Sequence, residues 1–204
     1  MADQLYLSLW FPNFRFDSLP RALLSVLQQF PVAGGSQRVH AAAAYPISWN
    51  EAPAYQRIYD QDEVEASMPE TAVAEAAASL YDDFAYEFEM TWDLWIAEEA
   101  GGLDPIWREE PRIVRVTGFG PHFDEGAYQQ NGHIRVDFGI DTPFIEDDVE
   151  LDSTGVKHVE QNLQRLIVFT RAVEQKCGIS SRLLWSESGE NLAQKLIARL
   201  QRVN

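Results

Sequence analysis

A single cysteine, Cys177, serves the whole chain of 204 residues. It excludes an internal disulfide and a four-cysteine metal site, and a lone thiol fits a reducing compartment. No stretch approaches the ~18 consecutive apolar residues that read as a membrane-spanning helix. A secretory signal is missing too: MADQLYLSLWFPNFRF sets Asp3 where a basic residue belongs, and Pro12 and Asn13 break its apolar run. These absences make the cytoplasm the expected location and exclude a membrane partner.

Positive charge is equally scarce. Sixteen Lys and Arg face 32 Asp and Glu, for a net charge of −16. Nucleic acid is excluded as a partner, because phosphate contacts need clustered cations. No lysine precedes Lys157, so a Schiff-base or phosphate-loop lysine is ruled out across three quarters of the chain. A GC-rich bacterial genome is the expected cause of that arginine bias. The charge is also unevenly spread: residues 1–152 sum to −20 and residues 153–204 to +4. An acidic body with a mildly basic C-terminal quarter can steer association with a cationic partner.

What is present is a good supply of core-forming material. Apolar residues make up 46% of the chain, with six Trp, seven Tyr and eleven Phe, which argues for an ordered fold rather than disorder. LYLSLWF (Leu5–Phe11) alternates as a strand. DSLPRALLSVLQQFP follows as a helix with Pro20 in its first turn. RVHAAAAYPIS reads as a strand despite its four alanines, and AYQRIYD as another. MPETAVAEAAASLYDD is a second helix. The fullest alternation is AYEFEMTWDLWIA, Ala85–Ala97, with Tyr86, Phe88, Met90, Trp92, Leu94 and Ile96 on one face.

That order, βαββαβ over residues 1–97, predicts a ferredoxin-like N-terminal half. The acidic, turn-rich segment 98–111 is the expected joint. Residues 112–204 then supply a ββαβα half: strands RIVRVTGFG and GHIRVDFGID, a helix over Val156–Cys177, the short strand RLLWS and a closing helix with Leu192, Leu196, Leu200 and Val203 inward. The expected fold is α+β, a two-layer sandwich with a mainly antiparallel mixed sheet. Its helices cover one face and a polar face is left open, because alternating strands bury only one side. The chain is expected to be one domain of residues 1–204, with the two halves as subdomains.

The candidate site lies on that open face. Glu87, Glu89 and Asp93 share the polar side of the Ala85–Ala97 strand with Trp95. Arg115, Arg135 and Asp137 hold the polar positions of the following strands, where opposite charges stabilise one another across the ladder. A second candidate is a metal site: His122 and Asp124 stand at His-x-Asp spacing in GPHFDEG, and His133 can supply a second imidazole. HExxH, GxSxG and dinucleotide-binding patterns are absent. The acidic loop FIEDDVELD lacks the order of ligands found in an EF-hand, and no cofactor is implied. The expected function is a non-enzymatic interaction module of immunity, inhibitor or adaptor type. Its acidic sheet face would meet a protein or small cationic ligand. A metal-assisted hydrolase or oxygenase is the alternative, and a homo-oligomer joined through basic helices and the acidic face is a third reading.

Overall fold

The computed structural model describes residues 3–31, 37–60, 62, 64–98, 105–145 and 153–188. Alternation decides the strands. In β4 (Phe84–Glu98) Tyr86, Phe88, Met90, Trp92 and Leu94 are buried, while Glu87, Glu89, Thr91 and Asp93 face the other way. Burying each such apolar side chain stabilises the fold by roughly 1.5–3 kcal/mol, so a one-residue slip of this strand is strongly disfavoured. β5 (Ile106–Phe119) pairs antiparallel with β4 over its whole length, from Ala85↔Phe119 to Glu98↔Ile106. The remaining strands are β1 (Gln4–Trp10), β2 (Val39–Pro46), β3 (Tyr55–Ile58), β6 (Ile134–Ile140) and β7 (Ser181–Ser186).

All seven form one sheet in the order β3-β2-β4-β5-β6-β1-β7, and every neighbouring pair is antiparallel. This corrects two expectations. The N-terminal half is not ferredoxin-like: β1 lies between β6 and β7 and pairs with none of the strands β2 to β4. The order of elements along a chain reveals their type, but the choice of edge partner is made by residues far away. Nor is segment 98–111 a linker, because residues 106–111 are strand. Pro111 is tolerated there because it faces Asp93 beyond the last residue of β5 that β6 pairs with, Arg115. The position of its missing N–H is therefore not needed by a ladder.

The helices line the apolar face. α1 (Leu19–Leu27) buries Leu19, Ala22, Leu23, Val26 and Leu27, and α2 (Pro69–Ala76) starts with its proline in the first turn. Gly118 of β5 lets α1 approach closely, since a Cβ there would meet Leu19 Cδ1 at 2.7 Å and Leu23 Cδ1 at 3.0 Å. Single-turn helices α3 (Ala127–Gln130) and α4 (Thr142–Ile145) flank β6. The long helix α5 (Ser153–Lys176) ends at Gly178, whose φ of +66° suits the left-handed residue after a helix. The expected closing helix lies outside the described residues, as do residues 146–152 of the acidic loop. Among the described residues no helix is long and apolar enough to cross a membrane.

The apolar stripe expected of α5 was Val156, Val159, Leu163, Leu166, Ile167, Val173 and Cys177, and the helix departs from it. Val159, Leu166 and Val173 are buried, but so are Asn162 and Phe169, while Ile167 is 41% exposed. The cause is the edge of β4. β2 pairs with β4 only as far as Met90, so the backbone groups beyond it need other partners. Asn162 provides them: its Oδ1 accepts from Trp95 N–H at 2.9 Å, and its Nδ2 donates to Trp95 O and Pro143 O, both at 2.8 Å. Arg165 donates to Asp93 O. Replacing Asn162 by Ala takes this partner from three backbone groups, the part-buried N–H and C=O of Trp95 and the buried C=O of Pro143. Urea unfolding of Asn162→Ala should show a loss of about 2–4 kcal/mol, since each such group costs about 1–3 kcal/mol and relaxation recovers part of it.

Candidate functional site

Pairing in register lays the open face out as rows. One row runs Gln56, Ala43, Glu87, Thr117, Arg135, Ser8, Leu183, from β3 across to β7. The next runs Ile58, Ala41, Glu89, Arg115, Asp137, Tyr6, Trp185. Glu87, Glu89, Arg115, Arg135 and Asp137 therefore meet on one surface, with charges alternating across the second row.

Their surroundings differ. Arg115 Nε donates to Glu89 Oε1 at 3.0 Å in an exposed pair, the kind that contributes little. Asp137 Oδ1 accepts from Gln4 Nε2 at 2.7 Å and from Gly139 N–H at 2.8 Å. Arg135 spreads its guanidinium over two rings, Tyr6 at 5.0 Å and Phe119 at 5.4 Å from the centroids. Tyr6 packs at a tilt against Trp185 with ring centroids 4.6 Å apart, Trp185 Nε1 donates to Ser8 Oγ at 2.9 Å, and the Tyr6 hydroxyl donates to Glu187 at 3.1 Å. Burial, followed by the charge of Asp137, pushes the Tyr6 phenol well above its usual range. This side of the face is closed by its own contacts.

The side toward β3 is not. Small residues on β2, Ala41 and Ala43, leave a shallow trough of about 100 Å³ bounded by Tyr45, Gln56, Ile58, Glu87 and Glu89. Glu87 receives one long hydrogen bond, from Thr117 Oγ1 at 3.4 Å. Burial raises its carboxyl above the ordinary glutamate value, the charge of Arg115 pulls it back, and Glu89 and Asp137 push it further up.

No family model, curated protein or solved structure matches this chain.

The ends of the face are roofed. At one end Trp49 packs edge-on against Phe123 at 5.1 Å and Phe119 at 6.3 Å. At the other, His158 of α5 lies 3.9 Å from the Trp95 ring and 5.3 Å from Trp107. Trp95 is thus covered rather than offered to a partner. Asp93 is exposed but sits on the part of β4 beyond Met90, away from the trough.

The histidines are occupied elsewhere. His133 Nδ1 accepts from Phe11 N–H at 3.0 Å, and its ring stacks on Phe14 at 4.2 Å; burial lowers its pKa. His122 stands 3.7 Å from Asp82, and Asp124 is exposed at a φ of +47°. Among the described residues no three His, Cys, Asp or Glu side chains gather closely enough to hold a metal ion. Cys177 donates to Ser25 O at 3.2 Å, and burial raises its thiol, as suits an inert packing residue.

Sequence reasoning missed the trough floor and the Tyr6–Trp185 wall. The available signal was HAAAAYP: small side chains in a strand beside a glutamate row mark a concavity, not only an ambiguity between helix and strand. The raised carboxyl of Glu87 has a sign that can be checked. A group whose folded pKa lies above its unfolded value loses stabilisation as pH rises through the folded value. Glu87→Gln should therefore match the wild type near pH 3.5, below the unfolded glutamate value of ~4.3, and exceed it in urea midpoint at pH 7.

Proposed function

We propose that the protein is a non-enzymatic binding module that receives a cationic side chain of a protein partner in the trough between β3, β2 and β4. One observation carries this reading: Glu87 is a partly buried carboxylate, raised by desolvation, that has no arginine or lysine hydrogen-bond partner among the described residues and borders an alanine-floored hollow. An incoming guanidinium offsets that desolvation, because a charge-assisted pair in a sheltered site is stronger than an exposed one. The hollow is small enough for one side chain and too shallow to enclose a drug-sized molecule.

Longer-range electrostatics support the same partner. The net charge of −16 raises the encounter rate with a basic surface, and the effect weakens with salt. An inhibitor or immunity protein that caps a basic target fits this chemistry, as does an adaptor. The lone, buried Cys177 motivates a reducing, cytoplasmic setting as part of the proposal.

A tetra-arginine peptide amide is the direct probe. Titrated into isotope-labelled protein at 150 mM salt, it should give saturable shifts centred on the methyl groups of Ala41 and Ala43. Glu87→Gln should weaken the apparent affinity by about tenfold, the loss of one charge-assisted contact, and Ala43→Leu should abolish it by filling the floor. Shifts spread evenly over the acidic surface, or unchanged in Glu87→Gln, would sink the proposal. Equal affinity for arginine amide alone would replace the protein partner with a small cation.

A further inference from the structure

α5 carries a second seam, opposite the one that faces the core. Val159, Asn162, Leu166, Phe169 and Val173 are buried at alternating spacings of three and four. Lys157, Glu160, Gln164, Ile167, Arg171 and Glu174 repeat that spacing two residues earlier, and all six are exposed. Two residues turn an α-helix by ~200°, so the second seam points away from the chain's own sheet. Alternating steps of three and four are the spacing with which one helix packs lengthwise on another. The middle of the seam is apolar: Ile167 is 41% exposed and the adjacent Val168 56%. Both are β-branched, a type that a solvent-facing helix position does not favour, so local propensity does not explain them.

We propose that this seam joins two copies of the chain, α5 packing antiparallel on α5 about a two-fold axis. The order of charges along the seam picks out that partner. With the axis between Gln164 and Ile167, Lys157 of one copy faces Glu174 of the other, Glu160 faces Arg171 and Gln164 faces Ile167, and each contact occurs twice. Every charge in the seam thereby meets its opposite, while Leu163 and Val168 meet beside the axis. A parallel pair would set each residue against itself, and the like charges would oppose it. Lys157, Glu160 and Arg171 have no ion pair among the described residues, and Glu174 engages Oε2 alone, with Arg182 at 3.1 Å. The charge map favours the same contact. A net charge of −16 makes two copies repel over most of their surface, but α5 sets Lys157, Arg165, Arg171 and Lys176 against Glu160 and Glu174, so repulsion is weak there. The acidic open face takes no part in this contact.

Sedimentation of the intact chain at physiological salt is the test, run from about 10 µM to about 1 mM, because one helix pair is small for a specific interface and micromolar association is expected. The chain should show a reversible equilibrium between monomer and dimer. Glu160→Arg and Arg171→Glu each bring like charges together at two symmetric places, and each should weaken the dimer about tenfold or more. The double variant restores the opposite charges at the unchanged net charge of −16 and should recover wild-type association. Mixed in equal amounts, the two single variants should form a heterodimer in preference to either homodimer. Ile167→Ser should weaken the dimer by a similar factor yet leave the urea midpoint near that of the wild type, since its side chain is already exposed. A chain that stays monomeric across the whole range overturns the proposal and leaves the seam to another segment of the chain or to a different protein. A dimer indifferent to the single charge reversals, or not rescued by the double variant, overturns the antiparallel contact. None of these residues borders the trough, so the arginine-peptide titration succeeds or fails independently.

Discussion

The unpaired edge of β4 is the constraint on which the rest of the structure depends. A strand of fifteen residues outruns β2, which pairs with it only up to Met90. Backbone groups left there must find partners or be lost to water or to another chain. α5 resolves the problem with side chains rather than a further strand, through Asn162 at Trp95 and Arg165 at Asp93. Crossing the edge carries the start of α5 past the sheet, so that His158 covers Trp95, while Leu166, Phe169 and Val173 stay in the core. Edge protection and the burial of a candidate hot spot are two consequences of one mismatch in strand length.

The open face shows how a sheet can be charged and still mostly quiet. Glu89 is matched by Arg115, Asp137 by Gln4 and a backbone N–H, and Arg135 by two aromatic faces. Opposite charges in neighbouring strand positions neutralise each other at modest gain. Glu87 stands apart, because its neighbour toward the sheet edge is an alanine rather than a cation. Asymmetry in side-chain size, more than the number of acids, is what makes this part of the face receptive.

Much of this was legible in advance. Alternation in Ala85–Ala97 and in Ile134–Phe138 assigned the two faces correctly, although Ile140, expected on the apolar face, is 54% exposed after Gly139 turns the strand at a φ of +77°; the prolines at 20 and 69 marked helix starts. The charged residues of β4, β5 and β6 were expected to share one surface, and Glu87, Glu89, Arg115, Arg135 and Asp137 do. The neighbours of β1 were not legible, because an alternating strand is compatible with any edge that buries the same face. The continuation of β5 through Trp107–Pro111 was hidden by turn-forming residues that an unpaired outer edge can accommodate. Asn162 went unnoticed because a polar residue on a helix reads as solvent-facing unless the strand edge it serves is known.

By itself, then, the chain determined side-chain direction within most elements, the overall acidity, and the exclusion of an internal disulfide and of a phosphate-loop lysine before Lys157. These follow from local backbone geometry and composition, which need no knowledge of neighbours. Only the tertiary structure decided the strand order, the trough over Ala41 and Ala43 and the cover on Trp95. Each depends on where one element ends relative to another distant in sequence, and such differences in length and register are set by contacts that no single stretch contains.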